Sequence, residues 1–560
     1  MGFLLVAIAL VPLSWMASNL WALYLNYQAA RTSGLPILIC PFDPENVFYM
    51  IISVPLRPVF ERILPAAFYD AIKVTIFGWE FRDKHHLHDR LGPAFILVTT
   101  AINQLQCADP AMAQVILARR KDFVQSPTAS KVMNFLGENI VTADGESWSR
   151  QRRIVAPSLN ERISEVVWKE SAEQANQMAG FMLGMPKGES RDTIEGLRVI
   201  AINVLGQVVY GQPKPFGPME LPRDPDSSMS YIDAISLCTQ QLVVAALVPA
   251  RLLRLPVMPK TLQTVGAALH NLPNLTKNML HQERRRNASG AGAPDNIMSM
   301  LVRLSDQEKD KGHDKLLGRA SQYLTEDEIA GNLFVFTAAG FDTTANTMAY
   351  AITLLAAYPE WQLWIQDELD LVLGAHKGSG VPEYSTTFPK LTRCLALMFE
   401  TLRLFPPVMH IARSTRTTQS ITANGKTYHI TGPCTVYINS ACLHTYQSIW
   451  GEDSASFNPS RWLTPGCTVG NSQLITPEQC TFLPWSGGLR VCPGQKMSQV
   501  EFVAAIATLF RTCRVEPVVK QAESMEQARE SLVNLMHDSQ PRLTLQMNRP
   551  KEVHLRWLRR

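Results

Sequence analysis

From Thr325 to Tyr358 the sequence reads as one long helix. Thr325-Glu326-Asp327-Glu328 opens it as a capping box, in which hydroxyl and carboxylate satisfy each other's backbone N–H. Pro359 stops it, because proline lacks the N–H that helix propagation needs. Some 33 residues at about 1.5 Å each make a rod of about 50 Å, long enough to cross a large domain. The composition supplies such a domain: 560 residues, 46% hydrophobic and 18% charged, describe a globular chain with a large core. At mid-helix the local rules fail. Ala339-Gly340-Phe341-Asp342-Thr343-Thr344 puts a glycine that costs about 1 kcal/mol against alanine beside an acid that needs a partner when buried. A threonine hydroxyl there can also bond back to the preceding turn and bend the helix. The bland reading is a polar kink in a core helix, but conflicts of this kind mark functional positions.

A second stretch, Trp485-Ser486-Gly487-Gly488-Leu489-Arg490-Val491-Cys492-Pro493-Gly494, sets one cysteine among glycines, and an apolar helix-compatible run follows from Met497 to about Phe510. The glycines let backbone bend and approach a flat object. A helix start and a nearby cation both favour thiolate over thiol, and Pro493 suits a first helical turn. Cys492 is thus placed as a nucleophile or as a single thiolate ligand. The other nine cysteines are scattered and form no Cys-x-x-Cys pair, so neither a disulfide framework nor a zinc site is indicated. Reduced thiols are the simpler reading.

Three further patterns complete the chemistry. Glu400-Thr401-Leu402-Arg403 places an acid and a base at i and i+3 on one helix face. Phe457-Asn458-Pro459-Ser460-Arg461-Trp462 offers a second arginine. Trp148 and Arg152, at i and i+4, share a face on which an indole N–H and a guanidinium can clamp an anion.

Taken together and in this order, WxxxR, AGxDTT, ExxR, FNPSRW and the Trp-x-x-Gly-x-Arg-x-Cys-x-Gly loop resemble the cytochrome P450 family, and the resemblance spans nearly the whole chain after residue 30. It implies a mainly α fold with a smaller β-rich region. It makes Cys492 the axial thiolate of a haem b iron, which favours O–O cleavage. Gly488 and Gly494 become loop glycines, and Trp148, Arg152, Arg413 and Arg490 propionate partners. Trp485 stands where the family usually has phenylalanine. Ala339 and Gly340 would leave room for dioxygen and substrate. Thr343 would position water and Asp342 would relay protons. Glu400, Arg403 and Arg461 would form a buried network behind the haem. The implied reaction is insertion of one oxygen atom from O2 into a lipophilic small molecule, with NADPH electrons from a separate membrane-bound NADPH-cytochrome P450 reductase. Arg150, Arg153 and Lys496 are candidates for the basic face that meets it. Two rivals stay open: a haem-thiolate isomerase, dehydratase or lyase that needs no external electrons, and a non-enzymatic haem sensor.

The remaining segments bear on location. Residues 1–30 carry no charged side chain, and Phe3–Leu25 matches the roughly 20 residues that cross a bilayer. Trp21 and Tyr24 suit an interface. The segment reads as an N-terminal transmembrane helix, with a cleaved signal peptide as the alternative. Arg31, the first positive charge, follows the span and favours a cytosolic bulk. The expected organisation is an anchor over 1–30, a hinge and membrane-proximal linker over 31–57, and the monooxygenase domain over 58–560, single-pass in the endoplasmic reticulum. A net charge of +4 with no zinc-finger spacing argues against nucleic acid. Phe95–Thr100 has strand character, Asp109–Arg120 reads as a short helix, Val124–Val141 as loop with apolar side chains and 163–210 as amphipathic helix. Residues 235–260 read either as a membrane-touching lid or as a core helix end. Glu283–Arg286 with Asn287–Pro294, and the charged stretch to Arg319, read as exposed loop. His410 is either a pocket-lining polar group or a satisfied structural histidine. The resemblance is to microsomal fungal enzymes of secondary metabolism, and the substrate is not encoded.

Overall fold

A computed structural model describes residues 2–134, 136–218, 229–288, 296–311, 323–374, 381–466 and 468–560. The chain forms two compact units, each assembled from separated segments. The first comprises Met1–Ala129, Val408–Ser456 and Pro477–Val491; the second comprises Ser130–Pro407, Phe457–Thr476 and Cys492–Arg560.

The first unit is built on a six-stranded mixed sheet in the order Ile37–Ile39, Ala94–Val98, Asn103–Cys107, Cys434–Asn439, His410–Thr415, Val124–Gln125. Ala94–Val98 is buried along its whole length, as its unbroken apolar run requires when both sheet faces are covered. Leu105, Ile116, Val436 and Ile438 pack in one core, and Trp79, Leu87, Phe95 and Leu97 in another. The expected short helix is Pro110–Ala118, capped by Asp109, whose carboxylate accepts from Met112 N at 2.9 Å.

The second unit is helical around the rod anticipated from the sequence. Its central helix runs Glu326–Ala357, and the Thr325–Glu328 capping box forms in both directions. Pro359 then opens the next helix, Pro359–Leu373. Around the rod pack the helices Thr193–Tyr210, Thr392–Leu404, Gln495–Thr512 and Met525–His537. Near its start the rod comes so close to the Gly137 backbone that a Cβ on Gly331 would lie 2.4 Å from Gly137 O. A three-stranded sheet (Glu189–Ser190, Cys513–Pro517, Leu555–Arg559) and the hairpin Ser539–Pro541/Leu545–Met547 complete the unit.

Several expectations are corrected. Residues 163–210 are two helices, Glu161–Leu183 and Thr193–Tyr210, broken at Pro186–Gly188. The second of these is a core helix, not an amphipathic one. Among the described residues it is also the one helix long and apolar enough to cross a bilayer, but most of it is buried inside the protein. Residues Pro127–Met133 are helix, not loop. Glu283–Arg286 belong to the helix Lys260–Ala288, and buried Glu283 accepts a hydrogen bond from Ser299. Of the two stretches expected as loop beyond it, 289–295 and 312–322 lie outside the described residues, and Ile297–Lys311 is helix. Residues 235–260 break into short helices with Leu252, Leu255 and Val257 exposed and Leu253 buried. Residues 31–57 are not a free linker either. Ile37–Ile39 pairs in parallel with Ile96–Val98, and Val47–Ile63 is helix, capped by Asn46.

Candidate active site

Cys492 is set apart from the other cysteines by access. Of the nine described cysteines eight are buried and Cys492 alone is exposed. Burial drives Cys107 and Cys434 up to about 12, so they stay neutral thiols. Desolvation by the surrounding protein holds the Cys492 thiol above its ordinary value, and a hydrogen bond from the Gly494 backbone and the positive charge of Arg152 offset only part of that rise. Cys492 is thus an exposed thiol with two groups beside it that favour its anion, which a bound metal cation would complete. The helix after it starts at Gln495, with Gly494 as its cap. Cys492 and Pro493 remain in the preceding turn, closed by Gln495 N donating to Cys492 O at 3.4 Å. Pro493 thus precedes the helix instead of opening it.

Arg152 and Trp148 lie on the helix Gly145–Val155, Trp148 buried and Arg152 half-buried. The same helix corrects one expectation. Arg150 is not presented to a partner. Its guanidinium donates to Tyr323 O at 2.7 Å, to Glu328 Oε2 at 2.8 Å and to Glu328 Oε1, which ties this helix to the capping box of the central rod. Arg153 and Lys496 are exposed.

The central helix shows where its mid-helix irregularity faces. From Glu328 to Ala357 every residue is buried except Phe336, Ala339, Gly340 and Thr343. Those four fall at i, i+3, i+4 and i+7, a single stripe. One face of an otherwise enclosed rod is partly open, and it carries the small residues and the alcohol that the sequence singled out; at Gly340 a Cβ would meet the Leu205 side chain at 3.2 Å. Thr343 Oγ1 donates to Ala339 O at 2.7 Å, leaving its lone pairs to accept. Asp342 lies off the stripe and is buried. Arg198 approaches Oδ1 at 3.2 Å, Thr544 donates to Oδ2 at 2.5 Å, and Gln546 Nε2 donates to both oxygens at 3.0 Å. Arg198, Thr544 and Gln546 were not legible as its partners. Phe336 was not singled out either, although its place three and four residues before Ala339 and Gly340 is the helical spacing that would have found it.

Glu400, Arg403 and Arg461 come together as expected. Arg403 donates to both Glu400 oxygens at 2.8 Å, and Arg461 Nε to Oε1 at 3.1 Å. Asn458 N adds 2.8 Å and Trp462 Nε1 3.0 Å. Glu400 and Arg403 are wholly buried.

The remaining expected site residues belong to the first unit. Gly488 has φ +64°, and a Cβ there would sit 2.6 Å from Leu117 O. Only glycine meets both conditions. Arg490 ends the short 3-10 turn Gly488–Arg490, and the Trp485 ring stands edge-on to Phe482 at 6.3 Å. Buried Arg413 donates to Gln125 Oε1 at 3.2 Å. His410 resolves as a partnered histidine: its Nδ1 is 2.5 Å from Glu80 Oε1, and its ring meets Tyr437 edge-on.

The donor set fits a haem iron. It offers one accessible thiol with support for its anion, a helix with an indole and a guanidinium beside it, and no demand for further protein ligands. The comparisons agree. The cytochrome P450 family profile matches residues 76–544. A phomenoic acid biosynthesis cluster cytochrome P450 monooxygenase of Leptosphaeria maculans is 31% identical over 543 residues, covering 90% of each chain. Cytochrome P450 monooxygenase prx9 of Penicillium rubens is 27% identical over 515 residues, 87% of each. Cytochrome P450 monooxygenase 124 of Postia placenta is 28% identical over 449 residues, 78% of this chain and 80% of that one. The chain belongs to the cytochrome P450 family. It is an oxidoreductase of the monooxygenase type, and the family implies a haem-thiolate iron, O2 and a small-molecule substrate.

Proposed function

We propose that this monooxygenase inserts one oxygen atom from O2 into a lipophilic intermediate of secondary metabolism, by hydroxylation, epoxidation or successive oxidation. Its electrons come from NADPH through a separate membrane-bound reductase. It is held in the endoplasmic reticulum by its N-terminal helix, with the catalytic bulk in the cytosol. The observation that carries the reading is the open stripe of the central helix. Three of its four positions are apolar or lack a side chain, so it favours an apolar ligand and excludes water, while Thr343 is its one polar side chain.

A bound haem supplies the oxygen activation. Cys492 Sγ would hold its iron, and Trp148 and Arg152 an anionic edge. The chain's own residues do the rest. The Thr343 hydroxyl keeps its proton on Ala339 O and offers its oxygen to a water. Asp342, ion-paired to Arg198, is the acid next in sequence through which a proton can be passed once one of its donors lets go. The biosynthetic-cluster relative supports the metabolic context. Support for the anchor comes from the Gly2–Arg31 helix, where Leu10, Trp15, Leu20 and Trp21 are exposed.

The test is the reduced, CO-bound difference spectrum of wild type and Cys492→Ser, followed by NADPH consumption with a microsomal reductase. A red-shifted Soret band that the substitution abolishes, with reductase-dependent oxidation of NADPH, supports the reading. A Soret band at the shorter wavelength in well-folded wild type would overturn thiolate ligation. A thiolate spectrum with no NADPH oxidation across candidate substrates would return the electron-independent isomerase or lyase.

A further inference from the structure

The N-terminal helix does not end in a hinge. Residues 10–18 are exposed on every side, whereas Asn19, Ala22, Leu23, Asn26, Tyr27 and Ala30, with Ala29 at their edge, are shielded. Those six fall at i, i+3, i+4, i+7, i+8 and i+11, the stripe of a helix docked along its last three turns. The dock is specific. Asn26 Nδ2 donates to Thr99 O at 2.9 Å and to Ala101 O at 3.1 Å, and Asn103 Nδ2 donates to Asn26 O at 2.8 Å. Leu23 and Tyr27 pack on the sheet core. Ala30 is buried, and Thr431 Oγ1 donates to Ala29 O at 3.3 Å. Only residues 32–36 then separate the helix from the strand Ile37–Ile39 of the same sheet. Both ends of the connection are pinned to one rigid body.

Length turns this into a statement about the membrane. A hydrocarbon core of about 30 Å takes about 20 helical residues. Counted from Phe3, the span would end near Ala22, inside the docked stretch. Asn26 then sits four residues on, about 6 Å beyond, within the headgroup layer. The stacked Trp21 and Tyr24 rings fall at the boundary that such side chains favour. The turn that Asn26 grips carries exposed Ala101 and Ile102.

We infer that the N-terminal helix is a rigid stalk, and that it holds the Thr99–Ile102 turn of the first unit in the lipid headgroup layer, fixing how that unit meets the bilayer. The inference rests on the anchor reading above. The experiment uses full-length holoenzyme in phosphatidylcholine nanodiscs, with a photoreactive benzoylphenylalanine at Ile102 or, for comparison, at exposed Lys426 of the same unit, whose hairpin is held through Asn424 to Asp109 beyond the other end of the strand Asn103–Cys107. Lipid adducts should form at Ile102 several-fold more than at Lys426. They should fall several-fold in the Asn26→Ala/Asn103→Ala variant, which stays in the membrane through alkaline carbonate and keeps its CO spectrum. Equal labelling at the two positions, in protein that resists carbonate, would overturn the headgroup placement and leave the anchor standing. Unchanged labelling in the double variant would overturn the stalk. Release of wild type by carbonate would remove the anchor itself, and the inference with it.

Discussion

Two buried carboxylates in the second unit are each saturated with donors, yet by different routes. Glu400 draws its partners from close by in sequence or from one short segment: Arg403 one turn on, then Asn458, Arg461 and Trp462 within five residues. Asp342 draws its partners from afar, with Arg198 on another helix and Thr544 and Gln546 on the C-terminal hairpin. The first network closes on itself and fixes a scaffold. The second ties the helix with the open stripe to two elements far from it in sequence. The Glu400 partners come from one neighbourhood, whereas each Asp342 partner can be removed singly by substitution without touching the central helix.

The largest effect should come from breaking the closed network. Glu400→Ala or Arg403→Ala strands a fully buried charge, at about 3–5 kcal/mol, and should yield no stable haem protein by CO spectrum or thermal melt. Normal haem content in either variant would sink the assignment. A third carboxyl supplies the control. Glu501, on the helix Gln495–Thr512, is buried with an unpartnered oxygen, and burial raises its pKa to about 8. Its neutral form is the folded one. The unfolded chain releases the proton above about 4.5, the folded chain only near 8, so stability falls by about 1.4 kcal/mol per pH unit between them. Glu501→Gln should match wild type near pH 4.5 and exceed it progressively toward pH 8 in denaturant melts. Parallel curves would mean that Glu501 has a partner in solution.

This contrast also explains what the sequence could disclose. The Glu400 network was readable because its members sit at helical spacing or inside one motif. The central helix was readable because its ends are chemical, a capping box and a proline. The open stripe was half readable: Gly340 and Thr343 break local rules, but access to one face is decided by the helices around it. The partners of Asp342 were not readable, since a salt bridge to Arg198, 144 residues earlier, leaves no local trace. Arg150 was misread for the same reason. Its charge suggested an exposed docking face, and Glu328 on the central helix claims it. Membrane hydropathy marked the N-terminal helix but could not show that its last three turns dock.

The open network should give smaller losses than the closed one. Arg198→Met removes the cation and leaves Asp342 with its hydrogen bonds, so a cost of about 2 kcal/mol is expected, with the haem retained. The smallest effects are the most telling. Gln546→Leu and Thr544→Val each remove donors from a carboxylate that keeps Arg198, at about 1 kcal/mol apiece in thermal melts. If the acid acts by releasing a donor, each should alter the ratio of product to hydrogen peroxide per NADPH while leaving substrate affinity, read from the spin-state titration, unchanged. A purely structural hairpin would lower the melting temperature equally and leave that ratio untouched. The double variant Gln546→Leu/Thr544→Val decides whether the two donors act as one unit. Both bond the same Oδ2, so their losses should fail to add. Strict additivity would mean that Thr544 and Gln546 hold Asp342 independently of each other and form no unit.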